Sequence, residues 1–368
     1  MAKKSHIKSV FLSSIHQNAG KTTMALGLYK VFKDLRLKPT FMKPVGQQVV
    51  TMGDHDIDKD SYLIREVYHL RKKALEMSPV TIGRGYTEKY INSPQKDVLH
   101  KRILRSYHSL IKGRGAIIVE GTGHAGVGSV IDTSNADVAQ LLGSKVIIVS
   151  EGGIGKSIDE IILNKAPFDI CGVELLGVVI NKILPEKYTK VKRILEKGLK
   201  HKGIKLLGAI PMDPLLKAPT VGQVMDRLNL KPISGKKNLS RRILNTIVAA
   251  MEPHNMINYL RDGSLVLLSG DRVDNIMVAV SSHLITDNNR PLVSGIILTG
   301  GLMPNPKIMQ MLKTSGMPVL LAEADTYTVA ASIEHLICKI QKTDKDKILE
   351  ATALVKKYVD VDYIIKNL

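Results

Sequence analysis

The residues of this chain best suited to chemistry lie in segment 14–23, Ser-Ile-His-Gln-Asn-Ala-Gly-Lys-Thr-Thr. The segment follows an apolar run and precedes apolar residues at helical spacing, and a Gly-Lys-Thr triplet in that setting is typical of a phosphate-binding loop. Backbone N–H groups at the helix start face the phosphates, the Lys21 ammonium reaches the outer phosphate oxygens, and the Thr22 hydroxyl ligates Mg²⁺. We therefore predict nucleotide binding by the following residues: Ser14, Asn18, Ala19, Gly20, Lys21, Thr22 and Thr23.

Two strand-end residues are candidates for catalytic roles beside Lys21. Lys43 follows an apolar run and is held extended by Pro44, so its ammonium can steady a phosphoryl group or a substrate carboxylate. Glu120 ends the run Ile-Ile-Val-Glu and is followed by Gly121, which is the general form of an acidic Mg²⁺ ligand. Each of the two also has a plain interpretation as a charged surface residue at the end of a strand.

Two further sets of residues are open to both functional and structural interpretations. The aspartates at alternate positions 54, 56, 58 and 60 could supply another carboxylate to Mg²⁺, or form a solvated helix start. Asn181 stands where a strand ends, and its amide can both donate to and accept from an adenine edge. A turn-forming asparagine is the alternative.

The elements that must position these residues alternate between short apolar runs and helical periodicity. The predicted strands cover 9–13, 40–42, 116–120, 145–149, 175–180 and 206–210, and the predicted helices cover 22–35, 58–72, 95–112, 135–142, 157–164 and 186–201. This order predicts an α/β fold with a parallel sheet covered on both faces. Ligands bind outside the carboxyl ends of such strands, where each candidate residue falls.

A second, smaller α/β unit is expected after residue 217. Its predicted strands are 264–268, 295–298 and 318–322, and its predicted helices are 272–283, 306–315 and 326–340. We predict domains over residues 1–217 and 218–340, with a helical tail over 341–368 that packs back on one of them.

Composition narrows the classes of partner. The chain has 368 residues, 53 Lys and Arg against 34 Asp and Glu, and only 15 aromatic residues, 11 Tyr and 4 Phe. Without an arginine–aromatic cluster to stack bases, the excess positive charge favours small anions over nucleic acid. Two distant cysteines, the lack of a signal-like start and the lack of a long apolar run predict a cytoplasmic protein that does not span a membrane.

The motifs in their order resemble the dethiobiotin synthetase-like P-loop family, over roughly residues 5–213. The motifs that carry the resemblance are Gly20-Lys21-Thr22, Lys43-Pro44-Val45, Glu120-Gly121-Thr122-Gly123 and Gly177-Val178-Val179-Ile180-Asn181. The common motif has a glycine five positions before Gly20, where this chain has Ile15. In that family the phosphate loop is one residue longer, so its leading glycine corresponds to Ser14, and Ile15 does not interrupt the motif. The resemblance implies ATP and Mg²⁺ as ligands, with Lys21 and Thr22 on phosphates and Mg²⁺. It also implies Glu120 and Asp60 near the metal, Lys43 toward the reacting group and Asn181 on adenine.

The second half is similar to the DRTGG domain, over roughly residues 218–338. Segments 268–274 and 297–301 carry the similarity, and their candidate ligand or interface residues are Asp271, Arg272, Thr299, Gly300 and Gly301. The Thr-Gly-Gly turn is rich in N–H groups that suit an anion or a partner loop, although a plain turn and a helix cap are alternatives. A P-loop domain of this type joined to a DRTGG domain resembles the N-terminal regulatory half of long-form phosphate acetyltransferase.

Three functions are compatible with these features. The first is a nucleotide-dependent regulatory or sensory protein that acts on itself, as a homo-oligomer, or on a partner enzyme through the DRTGG domain. The second is an ATP-dependent ligase that forms an acyl- or carbamoyl-phosphate on a small carboxylate or amine. The third is a binder of nucleic acid or a membrane surface, which the composition disfavours. Because 368 residues leave no room for a following catalytic domain, acetyl transfer is not expected of this chain itself.

Overall fold

The structure is a computed structural model, and it describes residues 7–53, 55–284, 286–287, 290–336 and 338–368. Its strands are β1 (Lys8–Ser14), β2 (Pro39–Met42), β3 (Val45–Gly46), β4 (Val49–Met52), β5 (His55–Asp58), β6 (Val80–Thr81), β7 (Ala116–Glu120), β8 (Lys145–Glu151), β9 (Leu175–Ile183), β10 (Leu206–Pro211), β11 (Lys231–Ser234), β12 (Asn245–Val248), β13 (Ser264–Ser269), β14 (Thr286–Asp287), β15 (Arg290–Pro291), β16 (Val293–Thr299) and β17 (Val319–Leu321).

The α-helices alternate with these strands through most of the chain. They are α1 (Lys21–Asp34), α2 (Lys59–Tyr68), α3 (Ala74–Met77), α4 (Tyr86–Asn92), α5 (Lys96–Ile111), α6 (Asn135–Leu141), α7 (Gly155–Ile170), α8 (Tyr188–His201), α9 (Pro214–Lys217), α10 (Val221–Leu228), α11 (Pro253–Met256), α12 (Val273–Leu284), α13 (Pro306–Thr314), α14 (Thr326–Glu334), α15 (Lys345–Tyr358) and α16 (Val361–Asn367).

The chain divides into two compact units, and the first is discontinuous in sequence. One unit comprises Met1–Asp213 together with Ile340–Leu368, and the other comprises Pro214–Lys339. The division lies four residues before the predicted boundary at 217, and the predicted tail belongs to the first unit.

The first unit contains a six-stranded parallel sheet in the order β10-β9-β8-β1-β7-β2, which confirms the predicted α/β fold with a parallel sheet. Strand β1 lies between β7 and β8, because its apolar residues are buried on both faces of the sheet. Leu12 is in register with Glu120, and Ser14 with Val149, so these strands end along one edge. The candidate site residues therefore gather at that edge.

The tail contributes two helices that cover the first unit. Helix α15 packs across α1, where Gly27 leaves room for the side chain of Val355. The backbone N–H of Asp360 donates to the Leu207 carbonyl at 2.7 Å, which ties the tail to β10. The segment is therefore part of the core of the unit and not an appendage.

The second unit contains a five-stranded sheet in the order β11-β17-β16-β13-β12, in which only β11 is antiparallel to its neighbour. Two apolar clusters, one around Val266 and Ile296 and the other around Leu265 and Ile297, cover its two faces. Alternate residues along one strand thus face different clusters, as strand geometry requires.

Several predicted boundaries are wrong by a few residues. The last predicted strand residue before Asn181 was Ile180, but β9 continues to Ile183, so Asn181 lies inside the strand. Helix α14 ends at Glu334 instead of 340, and α7 runs to Ile170, past the predicted end at 164. The short pairs β3–β6 and β4–β5 were not predicted, because two- to four-residue strands carry no usable periodicity.

Within the part of the chain that the structure describes, no helix has both the length and the apolar character needed to cross a bilayer.

Candidate functional site

The phosphate-binding loop connects β1 to α1 and contains one position that requires glycine. Gly20 has φ of 112°, in the left-handed region that favours glycine, and it precedes Lys21, the first residue of α1. A Cβ atom at this position would lie 2.1 Å from Asn181 Nδ2. The loop backbone thus passes closely over β9, and any side chain at position 20 would push it away from that strand.

The Lys21 ammonium lies at the base of the loop. Its Nζ atom donates to Ser14 Oγ at 2.6 Å and to the Gly123 carbonyl at 3.3 Å. Ser14 Oγ in turn lies 2.6 Å from the His16 carbonyl and 3.0 Å from the Gly123 carbonyl. Ser14, which is matched to the leading glycine of the family, therefore contacts Lys21 directly, and its hydroxyl helps to hold the loop together.

A buried cluster of charged side chains lies beside the loop; we call it the Lys43 cluster. The Lys43 ammonium forms an ion pair with Asp60 and lies 3.4 Å from Asp58 Oδ1 and 3.6 Å from Glu120 Oε1. All four residues are at most 5% exposed. The hydroxyl of Thr22 donates to Glu120 Oε1 at 2.9 Å and joins the cluster to the phosphate loop.

The protonation of Lys43 follows from the balance of burial and charge. Burial by itself disfavours the ammonium, but the carboxylates of Asp60, Glu120 and Asp58 together outweigh this effect and raise the pKa of Lys43 above its usual range. Lys43 is therefore a permanent cation here, suited to electrostatic stabilisation and not to proton transfer at neutral pH.

The hairpin β4–β5 and the start of α2 decide which aspartates reach the cluster. Asp58 accepts from the Asp60 N–H at 2.9 Å and thereby caps α2, and its own N–H donates to Ser78 Oγ at 3.1 Å. Asp56 points to the exposed side, where Thr51 Oγ1 donates to it at 2.9 Å. Asp54 lies outside the described residues.

The turn after β7 is held by Asn135, a residue that the sequence analysis missed. Its Oδ1 accepts from the Thr122 N–H at 3.1 Å, and its Nδ2 donates to the carbonyls of Thr122 and His124 at 2.9 and 2.7 Å. A Cβ atom on Gly121 would lie 2.5 Å from Asn135 Oδ1. The glycine therefore serves packing within the protein.

Asn181 and its neighbours hold the other side of the loop. Asn181 Nδ2 donates to the Ala19 carbonyl at 3.0 Å, and Lys182 Nζ donates to the Asn18 carbonyl at 2.7 Å and to Glu151 Oε1 at 2.5 Å. The sequence analysis missed Lys182 and Glu151, although both lie near the carboxyl ends of parallel strands. The same position in a strand made Lys43 and Glu120 candidates. The role of Asn181 on adenine stays a prediction, since its amide here binds the loop itself.

The candidate residues of the second unit lie in the turns that follow β13 and β16. The guanidinium of Arg272 donates to both carboxylate oxygens of Asp274, at 3.1 and 3.0 Å, and to the carbonyls of Ala250 and Met251 at 3.3 and 3.2 Å. The hydrogen-bonded pairing raises the pKa of Arg272 and lowers that of Asp274. Asp271 is exposed and precedes α12 by two residues.

The Thr-Gly-Gly turn differs from the expected anion-binding turn. The N–H groups of Gly300 and Gly301 donate to the carbonyls of Ala324 and Ala322 at 2.8 and 2.9 Å, and Thr299 Oγ1 lies 2.7 Å from Thr326 Oγ1. These donors fix the adjacent loop, so they are not directed at a ligand in this conformation.

The donors at the phosphate loop fit a magnesium nucleotide. Three carboxyl groups surround one ammonium in the Lys43 cluster, and Mg²⁺ prefers one or two carboxylates plus phosphate oxygens and water. Within the described ranges no group of three His, Cys, Asp or Glu side chains is arranged to hold a metal ion.

The fold and this site define a P-loop domain of the α/β type, followed by a second α/β unit. Residues 8–220 match the family AAA_26, described as an AAA domain, and residues 223–336 match the DRTGG domain. The chain belongs to the AAA_26 family and carries a DRTGG domain after it, which confirms the fused architecture inferred from the motifs.

Curated relatives of this chain are named phosphate acetyltransferase. The protein of that name from Synechocystis sp. is 25% identical over 367 residues, which cover 98% of this chain and 52% of the relative. The one from Nitrosomonas europaea is 27% identical over 370 residues, 97% of this chain and 51% of the relative. The chain therefore spans about half the length of the curated relatives it matches.

Among solved structures, a Cyanothece McdA variant in complex with ATP is 13% identical with a TM-score of 0.38, over 57% of this chain and 85% of that chain.

Proposed function

We propose that the chain binds ATP with Mg²⁺ and uses the bound nucleotide as a regulatory or sensory signal. The observation that carries this proposal is the contact of the phosphate loop with the Lys43 cluster through Thr22 and Glu120. This hydrogen bond holds the Thr22 hydroxyl beside the buried Glu120 carboxylate, and oxygen ligands of these kinds suit Mg²⁺.

Different residues of the site would bind the phosphates and the metal ion. Lys21 and the N–H groups at the start of α1 hold the phosphates, as a helix N-terminus favours anions. Thr22 holds Mg²⁺ together with Glu120, and Asp60 lies in the same cluster for a further contact. Bound Mg²⁺ would supply neutralisation of the phosphate charge, while Lys43 keeps the carboxyl groups close together.

The regulatory role is supported by the two-unit architecture. Relatives that match nearly the whole of this chain are named phosphate acetyltransferase, and the match covers about half of their length. We infer that nucleotide binding in the first unit changes how the DRTGG domain engages a second copy of the chain or a partner enzyme. A small carboxylate or an acyl-phosphate is the class of metabolite expected beside the nucleotide.

Calorimetric titration of the full chain with ATP tests the binding step. We expect Mg²⁺ to strengthen the binding of ATP and Lys21→Gln to abolish it. Thr22→Val should weaken the binding only when Mg²⁺ is present, because it removes a proposed ligand of the ion. Lys30→Gln, on the exposed face of the same helix, is the matched control and should bind as the unaltered chain does. Equal affinity in the unaltered chain and Lys21→Gln would disprove the proposed site.

Hydrogen exchange separates a signalling role from simple binding. ATP should change the protection of amides within Pro214–Lys339 in the unaltered chain and leave them unchanged in Lys21→Gln. If protection changes only in the first unit, the nucleotide binds without reaching the DRTGG domain, and the regulatory proposal fails while the binding proposal stands.

An ATP-dependent ligase is the second candidate, favoured by the placement of Lys43 beside Glu120 and Thr22. Such an enzyme needs a buried cation where negative charge develops on a transferred phosphoryl group. ATP hydrolysis that rises strongly with a small carboxylate or amine, and that falls in Lys43→Ala while ATP still binds, would favour this alternative over the regulatory role.

A further inference from the structure

A basic cavity of about 590 Å³ lies at the far end of α1 from the phosphate loop. It is formed where α1 and α2 end and where β2 begins, which places it at the amino ends of the parallel strands. We call it the basic pocket, and its lining residues are Tyr29, Lys33, Arg36, Lys38, Pro39, Tyr68, His69, Leu70, Arg71 and Arg114. Helix α1 has 14 residues, so the basic pocket and the phosphate loop are about 20 Å apart along it.

The lining of the basic pocket contains five lysine or arginine side chains and one histidine, and no acidic side chain. None of these six forms an ion pair or a side-chain hydrogen bond with any residue that the structure describes. Nearby cations behave differently, since Lys30 pairs with Asp34 at 2.5 Å and Lys72 donates to the Ser109 carbonyl at 2.9 Å. The basic pocket therefore gathers six basic side chains for which the described residues provide no acidic partner.

The backbone around the pocket holds three of these residues in an unfavourable conformation. Arg36, Lys38 and His69 have φ of 59°, 46° and 53°, in the left-handed region where glycine is favoured. Glycine at these positions would cost less strain, yet basic side chains stand there. His69 is the left-handed C-cap of α2 and Arg36 directly follows the C-cap of α1, so helix ends account for two of the three conformations.

Helix capping explains only part of this charge. A cation at the carboxyl end of α1 interacts favourably with the helix dipole, which accounts for Lys33. Arg71 and Arg114 come from segments outside α1 and α2, and Arg114 lies two residues before β7. Their convergence on one cavity needs a different explanation.

Two aromatic side chains belong to the lining of the basic pocket. The rings of Tyr29 and Tyr68 are stacked, with centroids 4.2 Å apart and planes inclined by 20°. Their hydroxyls donate inward, to the Pro39 carbonyl at 3.0 Å and to the Leu26 carbonyl at 2.6 Å. The stacked pair therefore forms a packed part of the lining, with Tyr29 only 3% exposed.

We propose that the basic pocket binds a small molecule that carries two or more phosphoryl groups. Arginine side chains form two-pronged hydrogen bonds to phosphate, and a single phosphate would leave most of the five lysine and arginine charges uncompensated. The cations surround a cavity of the size that accepts small molecules, instead of following a stripe that would track a nucleic acid. This site is separate from the ATP site and does not depend on it.

Titration calorimetry with inorganic tripolyphosphate, in the presence of EDTA, tests the proposal on the full chain. We expect binding in the unaltered chain and in Lys21→Gln, which removes the phosphate loop as a competing site. Arg36→Gly/Lys38→Gly should lower the affinity by roughly tenfold or more, because it removes two phosphate-binding cations. Glycine suits both backbone positions, so thermal stability should be kept or rise.

The control variant removes the same charge elsewhere. Lys197→Gln/Lys200→Gln, on the exposed face of α8, should keep the affinity within about twofold, and Arg36→Lys/Lys38→Arg should also retain binding. Equal weakening in the glycine variant and the α8 control would reveal general charge attraction and overturn the proposal. It would also be overturned if tripolyphosphate fails to bind while an oligonucleotide or an anionic vesicle binds through Arg36 and Lys38.

Discussion

At the scale of single residues, the Lys43 cluster is the most consequential feature of the first unit. Three carboxyl groups lie around one buried ammonium, and each is placed by a different element: Asp58 by the hairpin, Asp60 by α2 and Glu120 by β7. Such an arrangement is stable only while the cation is present, because buried carboxylates repel each other strongly.

Removal of the Lys43 charge is expected to be costly for folding. Lys43→Met should lower the free energy of unfolding by about 3–5 kcal/mol, because it leaves buried carboxylates without their cation. Lys30→Met breaks an exposed pair with Asp34 and should cost under about 1 kcal/mol. Urea unfolding followed by circular dichroism measures both. Similar costs for the two variants would contradict the account, and Asp60→Asn added to Lys43→Met should recover part of the loss.

Tyr29 provides a pH test of burial. Burial raises the pKa of its phenol to about 12, and Arg114 offsets only part of this effect. An unfolded tyrosine titrates near 10, so the stabilisation is complete below pH 10 and is lost as the pH rises toward 12. By pH 11.5 the loss from Tyr29 should reach about 2 kcal/mol.

The measurement is urea unfolding at pH 9 and at pH 11.5. Between these two pH values, the free energy of unfolding should fall less in Tyr29→Phe than in the unaltered chain, by the loss attributed to Tyr29. The variant lacks the hydrogen bond to Pro39 at both pH values, so this bond does not affect the difference. An unchanged fall would show that Tyr29 does not titrate late in the folded protein.

At the scale of elements, α1 links three features of the first unit. Its start carries the phosphate loop, its middle packs against α15, and its end lines the basic pocket. The close contact with α15 depends on Gly27, because a Cβ atom there would lie 2.4 Å from Val355 Cβ.

The contact between α1 and α15 predicts an effect opposite to helix propensity. Alanine normally stabilises a helix by about 1 kcal/mol relative to glycine, but Gly27→Ala should destabilise this protein by about 1–3 kcal/mol through overpacking. Val355→Ala added to Gly27→Ala should restore part of the stability. Gly155→Ala in α7 meets no atom within 4 Å and is the control, expected to be neutral or stabilising. A stabilising Gly27→Ala in thermal unfolding would refute this packing.

At the scale of the whole molecule, the first unit is built from two distant pieces of chain. Residues 340–368 cover α1 and bond to β10, whereas Pro214–Lys339 has its own sheet and its own apolar clusters. The order of the pieces makes the second unit an insertion within the first.

Truncation tests this organisation. Residues 214–339 alone should unfold cooperatively, since both faces of their sheet are covered from within. Residues 1–213 alone should be less stable than the same segment joined by a flexible linker to 340–368, because the truncation exposes the apolar face of α1. Equal urea midpoints for these two proteins would show that the tail is dispensable.

Much of the fold and the principal site residues were predictable from local sequence. The phosphate loop, the parallel strands and the positions of Lys43 and Glu120 follow from short motifs and from the periodicity of apolar residues. These signals depend on neighbours within one helix turn or one strand, so they can be recognised before the chain is folded.

Other features were decided only by tertiary structure. The residues themselves left the four aspartates of 54–60 equivalent, and only the family resemblance pointed to Asp60. The hairpin and α2 direct Asp58 and Asp60 inward and Asp56 outward. The hydrogen bond from Asn181 to Ala19 joins residues 162 positions apart, and the contact of α15 with α1 joins the tail to the first unit. The physical reason is common to all three: such contacts depend on the order of strands in the sheet and on the direction in which each side chain points, and no short motif encodes either.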